Sequence, residues 1–281
     1  MSKTNEKMEP HSVKLVEELN EKAKKFRREL LIMTTHSGSG HPSSSLSVID
    51  IITALYFHHM RHKPKDPKWE DRDRFVLSKG HGCPALYVVL AEMGYFPKEE
   101  LSTHRKLGSI LQGHPDMKTP GVEIPTGSLG QGLSVACGMA IAGKLDNKNY
   151  HVYVIIGDGE MDEGNIWEAI MSAVRYKLDN LTVILDRNYF QLDGPTEEII
   201  PLNPLPDKWQ AFGWNVMEID GHNMWDILDS LDEACEVKGK PTIIIAHTIK
   251  GKGVSFVEGE NKYHGKALTE EELARALEEL K

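Results

Sequence analysis

The stretch HVYVIIGDGEMDEGN, residues 151–165, carries the clearest structural signal in the chain. It opens on a continuous apolar run, residues 152–156, which is typical of a strand buried on both faces. Gly157, Asp158 and Gly159 follow, and a helix is predicted to begin at about Glu163. Two glycines around one aspartate let the backbone turn tightly and approach a ligand closely. A strand, a tight turn and a helix therefore follow one another here, and the helix N-terminus can attract an anion such as a diphosphate.

A second apolar run lies one strand–helix–strand unit further along the chain. The stretch LTVILD, residues 181–186, is again predicted to be a buried strand, and Asn188 follows it. Asp158 and Asn188 are then expected side by side, because parallel strands present their carboxyl ends at one edge of the sheet. A carboxylate and an amide oxygen suit Mg²⁺, which takes its remaining ligands from phosphate and water, and Ca²⁺ would accept them too. The alternative for a lone Gly-Asp-Gly is a tight turn whose aspartate caps a helix.

Further apolar runs alternate with helical patterns along the chain. Strands are predicted at residues 75–77, 152–156, 181–185, 216–219 and 242–246. Apolar residues recur every three or four positions over residues 12–35, which predicts a long amphipathic helix with Ser12 as its N-cap. Other helices are predicted over residues 46–60 and from residues 85, 97, 131, 163, 223 and 269. This alternation favours an α/β fold, a parallel sheet with helices on both faces. We interpret residues 1–281 as a single domain with an N-terminal helical layer.

The composition limits the classes of function. A formal net charge of −9 argues against a nucleic-acid partner, because binding the phosphate backbone requires many Lys and Arg residues. Small anionic substrates remain compatible, since a few local basic groups can bind a phosphate. The three cysteines show no metal or redox spacing, which fits a reducing compartment. Residues 1–10 contain no apolar run, so no signal peptide is predicted, and no apolar run is long enough to span a membrane. A cytoplasmic protein is expected.

The Gly-Asp-Gly turn followed by an asparagine resembles the metal motif of thiamine-diphosphate enzymes. The resemblance implies that thiamine diphosphate binds here together with Mg²⁺. It implies three metal ligands, the side chains of Asp158 and Asn188 and the main-chain carbonyl of Phe190. It also places Gly157, Gly159 and Glu160 against the cofactor.

Other segments narrow the resemblance to transketolases and extend it over nearly the whole chain. These segments are SGSGHPSSSLS (residues 37–47), FVLSKGHGCPALY (75–87), LQGHPD (111–116), GVEIPTGSLGQGLS (121–134) and HTIKGKG (247–253). The resemblance implies catalytic roles for His41, His114, His264 and Glu163, and places His81 and His264 against the cofactor. Each of these histidines has a glycine neighbour and lies in a predicted loop, although any one alone is more often structural.

The glycine-rich turn completes the set that the resemblance implies. It places Gly127, Ser128 and Leu129 beside the aminopyrimidine ring of the cofactor. Ser128 departs from the proline that is common in this turn, and Phe190 departs from the usual aliphatic residue.

The resemblance also implies that one half of a transketolase is missing. In the family a glutamate from a second domain activates the pyrimidine ring across a subunit interface, and sugar-phosphate ligands lie there too. This chain contains no second α/β unit. We therefore expect a separate C-terminal, pyrimidine-binding subunit, two copies of each chain, and Glu163 near the interface between them. The implied reaction is reversible transfer of a two-carbon ketol unit from a ketose phosphate to an aldose phosphate, as in the pentose phosphate pathway.

Three alternatives remain open from the sequence alone. The chain could be an α-type subunit of a 2-oxo acid dehydrogenase, or an enzyme similar to deoxyxylulose-phosphate synthase. It could instead be a non-catalytic regulatory subunit that keeps the fold and binds a nucleotide phosphate. Metal-dependent binding of thiamine diphosphate would argue against the regulatory subunit.

Overall fold

The computed structural model describes residues 11–281 of the chain. The expectation of no signal peptide rests on residues 1–10, which lie outside this range. Helix α1 (Val13–His36) confirms the long amphipathic helix, and the hydroxyl of Ser12 accepts a hydrogen bond from the backbone N–H of Leu15 (3.1 Å), as an N-cap does. Over residues 11–281, no helix is long and apolar enough to cross a membrane.

Five parallel strands form one sheet and confirm all five predicted strands. They are β1 (Arg74–Leu77), β2 (Val152–Gly157), β3 (Leu181–Arg187), β4 (Asn215–Asp220) and β5 (Thr242–His247). Their order across the sheet is β1-β2-β3-β5-β4. In the register of β2 and β3, Gly157 lies opposite Asp186, so the two loops that follow begin side by side.

Helices cover both faces of the sheet, which confirms the predicted fold class. They are α2 (Pro42–Leu46), α3 (Ile49–Ala54), α4 (Cys83–Met93), α5 (Gln131–Leu145), α6 (Gly164–Arg175), α7 (Thr196–Ile199), α8 (Leu205–Ala211), α9 (Met224–Glu236) and α10 (Glu270–Glu279). Side chains of the strands alternate between two apolar cores. Tyr153 and Ile155 point into one core with α1, α3, α4 and α9, whereas Val154 and Ile156 point into the other with α5, α6 and α8.

The helix predicted over residues 46–60 is observed as one continuous helical segment, in which α3 runs directly into a π-helical turn at Leu55–His59. The short helix α2, which precedes it, was not predicted. Pro42 begins α2, and every residue of α2 is buried although three of its five residues are serines, so no apolar repeat could predict this helix. The helix predicted from residue 97 is a 3₁₀ segment, Lys98–Thr103, and the short helices α7 and α8 were not predicted.

Candidate functional site

A cleft of about 240 Å³ lies at the carboxyl edge of the sheet, where the loops after β1, β2, β3 and β5 meet. We call it the site cleft. The predicted residues that line it are His41, His81, His114, Gly127, Leu129, Gly157, Asp158, Gly159, Glu160, Asn188, Phe190 and His264. A larger groove of about 530 Å³ lies at the opposite edge, but its Arg61 and Lys144 are paired with Asp73 and Asp179. Because these two cations already pair with carboxylates, and because the predicted residues line the site cleft instead, the site cleft is the better candidate for an anionic ligand.

Asp158 is buried at the end of β2 and is held from several sides. Its Oδ2 accepts hydrogen bonds from the backbone N–H of Tyr189 (2.6 Å) and from Nη1 of Arg187 (3.2 Å). Its Oδ1 accepts only from the adjacent backbone N–H of Gly159 (2.8 Å) within the described part of the chain. Burial, together with the nearby charge of Asp186, raises the pKa of Asp158 to about 7. A divalent cation at Oδ1 would stabilise the ionised form.

The turn after β3 brings a second and a third oxygen towards Asp158. Nδ2 of Asn188 donates to Asp186 (2.8 Å), which orients the amide, and Oδ1 accepts from the backbone N–H of Phe190 (3.1 Å). Tyr189 has a left-handed backbone, with φ of 68°, and this conformation turns the chain back over the end of the sheet. Across residues 11–281, the carbonyl of Phe190 accepts no hydrogen bond and remains open to a ligand.

Four imidazoles form one cluster in the same cleft as these oxygens. The ring centroid of His41 lies 5.3 Å from that of His81, 6.3 Å from that of His114 and 5.6 Å from that of His264. The rings of His81 and His264 are also 5.3 Å apart. Nδ1 of His41 is buried and has no hydrogen-bond partner among the described residues. A buried ring nitrogen without a partner indicates a position prepared for water or a ligand.

The four imidazoles are electrically neutral near pH 7. Burial, with a contribution from Arg105, lowers the pKa of His41 to about 4. Burial and the ammonium of Lys250 lower the pKa of His264 to about 3. Burial also lowers the pKa of His81 and, less strongly, that of the more exposed His114. Neutral imidazoles can both donate to and accept from hydroxyl groups.

The glycine-rich turn packs directly against the third histidine. Gly127 has φ of 125°, and a Cβ at this position would lie 2.6 Å from Cδ2 of His114. Only glycine fits this turn without displacing the imidazole. Leu129 lines the site cleft, whereas the exposed side chain of Ser128 lies outside it.

The two predicted glutamates occupy different environments. Glu160 is buried, and its oxygens accept from Ser78, from the backbone N–H of Gly130 (2.9 Å) and from that of Gly157 (3.0 Å). Its carboxylate therefore ties the glycine-rich turn to the end of β2, although it also lines the cleft. Glu163 precedes α6, is exposed and lies outside the site cleft beside Gly130.

Sequence reasoning did not single out two buried lysines of the site cleft. Nζ of Lys79 pairs with Asp186 and also donates to the carbonyl of Ser44 (3.1 Å). Nζ of Lys250 donates to Oδ1 of Asn261 (2.7 Å) and to Nδ1 of His264 (2.9 Å), both of which are neutral acceptors. Within residues 11–281, no carboxylate therefore forms a direct ion pair with the Lys250 ammonium. Both lysines lie directly after strand ends, and this position was the signal available in the sequence.

Comparisons with known proteins agree with this geometry. Residues 20–280 match the family described as transketolase, thiamine diphosphate binding domain. The chain is 49% identical to the 6-deoxy-6-sulfo-D-fructose transketolase subunit SqwG of a Clostridium species, covering 94% of this chain and 96% of that one. It is 46% identical to an apulose-4-phosphate transketolase subunit of Phocaeicola vulgatus, covering 94% of each.

Longer transketolases match over the same part of their chains. Human transketolase is 43% identical over 93% of this chain, which is 42% of its own length. The crystal structure of transketolase from Campylobacter jejuni superposes with a TM-score of 0.90 and 36% identity, over 96% of this chain and 43% of that one. The chain thus spans less than half the length of these full-length relatives. It belongs to the transketolase family and is built around the family's thiamine-diphosphate-binding domain.

Proposed function

We propose that this chain is the N-terminal subunit of a split transketolase. With thiamine diphosphate and Mg²⁺, it transfers a two-carbon ketol unit reversibly from a ketose phosphate to an aldose phosphate. The observation that carries this proposal is that the four-imidazole cluster lines the same cleft as Asp158, Asn188 and Phe190. The proposal takes residues 1–281 as one domain of a cytoplasmic enzyme.

The donor set fits a magnesium ion bound to a diphosphate. Asp158 offers Oδ1, Asn188 offers Oδ1, and Phe190 offers an open carbonyl. Over residues 11–281, no three His, Cys, Asp or Glu side chains are arranged to hold a metal. A cation here would therefore rely on one carboxylate, one amide and one carbonyl, with phosphate oxygens and water completing the shell. Mg²⁺ prefers this arrangement, and Ca²⁺ can use it.

The walls of the cleft fit the rest of the cofactor. Gly157 and Gly159 let the backbone approach the diphosphate, while Lys250 and His81 offer donors to its oxygens. Gly127 and Leu129, with the backbone at Ser128, form the surface for the aminopyrimidine ring. When bound, thiamine diphosphate supplies the carbon nucleophile and the sink for the electron pair of the broken carbon–carbon bond.

The imidazoles bind and orient the sugar. Because Nδ1 of His264 accepts from Lys250, its ring proton lies on Nε2, which can donate to a substrate oxygen. His114 lies at the exposed mouth of the cleft and is placed to bind the first hydroxyl of the donor. His41 contacts the other three rings and can pass a proton between substrate oxygens and water.

The partner subunit supplies what the site cleft lacks. The carboxylates that line the cleft are those of Asp158 and Glu160, and both are engaged by donors of this chain. The carboxylate that activates the pyrimidine ring therefore comes from a C-terminal subunit, with two copies of each chain in the assembly. The exposed Glu163 lies where that contact forms. Relatives of nearly equal length that are named as subunits support this arrangement.

The test compares the lone chain with the chain purified together with its partner. We expect ketol transfer from xylulose 5-phosphate to ribose 5-phosphate only in the co-purified sample, and only with thiamine diphosphate and Mg²⁺. Donors related to sulfofructose and apulose 4-phosphate belong in the same assay, since two relatives are named for them. Full activity of the lone chain would overturn the split-enzyme proposal. Turnover of pyruvate alone would favour the 2-oxo acid dehydrogenase alternative, and no cofactor binding would favour the regulatory subunit.

A further inference from the structure

The short loop after β5 is held in place at successive residues. Thr248 donates its backbone N–H to the carbonyl of Arg187 (3.1 Å), and Gly251 donates to that of Ser43 (2.9 Å). Between these two anchors lies Lys250, which lines the site cleft. The position of its ammonium therefore depends on how firmly the flanking backbone is held.

His222, in the loop after β4, supplies a further anchor next to Lys250. Its Nε2 accepts a hydrogen bond from the backbone N–H of Ile249 (2.9 Å). The ring proton consequently lies on Nδ1, which donates to Oδ2 of Asp50 (2.8 Å). The ring thus connects helix α3 to the residue that precedes Lys250.

Arg27 of α1 completes this connection on the other side of the loop. Its Nη1 and Nη2 donate to the two oxygens of Asp50 (3.0 and 2.5 Å). Its Nε donates to the carbonyl of Lys252 (3.3 Å). Arg27 and Asp50 are both buried, and such a bidentate pair is geometrically strict. Arg27, Asp50 and His222 together form what we call the loop clamp, which grips the backbone one residue before and two residues after Lys250.

We propose that His222 is a positioning residue for the diphosphate site, because the loop clamp fixes the backbone that aims the Lys250 ammonium into the site cleft. This inference rests on the proposed function, since it gives Lys250 the role of a diphosphate ligand. His222 does not line the cleft and acts only through the backbone of Ile249. A displacement of about 1 Å at such a loop is enough to weaken a charged contact substantially.

The experiment measures binding of inorganic diphosphate with Mg²⁺ to the full chain by titration calorimetry. His222→Phe removes the donor and the acceptor, whereas His222→Gln keeps an acceptor and a donor on one side chain. We expect roughly tenfold weaker binding for His222→Phe and near-normal binding for His222→Gln. Lys250→Gln should weaken binding at least as much. The double variant His222→Phe/Lys250→Gln should bind no more weakly than Lys250→Gln alone, because both changes remove the same contact.

His59→Phe is the matched control at the other end of the sheet, where His59 bonds to Tyr153 (2.9 Å) and Asp232 (3.2 Å). It should lower the thermal midpoint as His222→Phe does and leave diphosphate binding unchanged. Additive losses in the double variant would overturn the positioning role, and so would unchanged binding in His222→Phe while Lys250→Gln binds weakly. If the wild-type chain binds no diphosphate, the proposed function fails together with this inference.

Discussion

Lys250 is a buried cation of the site cleft, and its burial disfavours the charged form of its side chain. Burial, with the nearby charge of Lys79, lowers the pKa of its ammonium to about 8. The ammonium is therefore present at neutral pH and is lost as the pH rises above about 8. A bound diphosphate would favour the charged form, so binding and protonation are linked.

We expect the affinity for thiamine diphosphate with Mg²⁺ to fall above about pH 8, by up to roughly tenfold per pH unit. Titration calorimetry across this range measures the effect. In Lys250→Gln the affinity should be lower at neutral pH and nearly independent of pH. In Lys250→Arg the charge persists, so the decline should also disappear while affinity stays closer to that of the wild type. An undiminished alkaline decline in Lys250→Gln would assign it to another group.

Asp158 permits a sharper test of the metal site, because Asp158→Asn changes one charge and almost no volume. We expect this variant to lose the rise in thermal midpoint that Mg²⁺ and thiamine diphosphate give the wild type. A ligand at a hundred times its dissociation constant stabilises a protein by about 2.7 kcal/mol, so the loss is easily measured. Asp193→Asn, an exposed change in the loop after β3, should keep the full rise. Equal stabilisation of both variants would place the metal elsewhere.

Among individual residues, the polar loop residues were more predictable than the lysines. Asp158 and Asn188 follow apolar runs, where ligands bind in parallel sheets, and each of the four histidines has a glycine neighbour in a predicted loop. Lys79 and Lys250 stand in similar positions, but a lysine in a sequence is almost always exposed. Their burial depends on Asp186, Asn261 and His264, which become neighbours only after folding.

Among the helices and strands, all five strands were predictable, whereas the short buried helix α2 was not. A run such as residues 181–185 is apolar at nearly every position because β3 is covered on both faces, and few other elements of this length share that property. Helix α2 is also buried at every position, but its sequence, PSSSL, has no apolar repeat from which a helix could be predicted. The burial of α2 follows from contacts with the rest of the fold, and its Ser44 lines the site cleft.

A capping box stabilises the first turn of helix α10, and its contribution to the stability of the helix can be measured. Oγ1 of Thr269 accepts from the backbone N–H of Glu272 (3.2 Å), and the Glu272 carboxylate accepts in return from the backbone N–H of Thr269 (2.9 Å). We expect Thr269→Ala to destabilise α10 by about 1 kcal/mol. Hydrogen exchange of the α10 amides should then be about five times faster, since the cost is local.

Thr269→Ser keeps the hydroxyl and should restore most of the protection of α10. The cap of α1 offers a comparison, because Ser12→Ala should accelerate exchange only in the first turn of that helix. Exchange in Thr269→Ala that matches the wild type would show that packing against α1, including the bond from Arg28 to the carbonyl of Leu277 (2.7 Å), holds α10 without its cap.

For the molecule as a whole, the sequence predicts a parallel sheet but not the order of its strands. Each strand is a local apolar run, whereas the order β1-β2-β3-β5-β4 results from long-range packing of helices on the two faces. That order places β5 next to β3, and so brings the loop of Lys250 beside Asp186 and Asn188. Which residues line the cleft therefore depends on the order of the strands, and no single segment of the sequence contains all of these residues.

Several buried imidazoles also link the stability of the whole chain to pH. His151 is the clearest case because it lies far from the site cleft, at the amino end of β2, where its Nε2 bonds to Oγ1 of Thr182 (2.8 Å). Burial lowers the pKa of His151 to about 4, and it lowers the pKa of His41 and His104 to about 4 as well. The unfolded chain, with histidine pKa values of about 6.5, binds these protons first as the pH falls. Their contribution to stability is therefore constant above about pH 6.5 and decreases from there to about pH 4.

The contribution of one histidine to this decrease can be isolated with His151→Gln. As the pH falls from about 6.5 to about 4, a single buried imidazole lowers the free energy of unfolding by about 1.4 kcal/mol per pH unit. Urea denaturation at a series of pH values gives the free energy of unfolding as a function of pH. The slope of this curve should be smaller for His151→Gln than for the wild type, by the amount that corresponds to about one bound proton. Gln can keep the bond to Thr182, so stability at neutral pH should change little. An identical slope in both proteins would mean that His151 is protonated in the folded chain, and the acid sensitivity would then belong to the imidazoles around the site cleft.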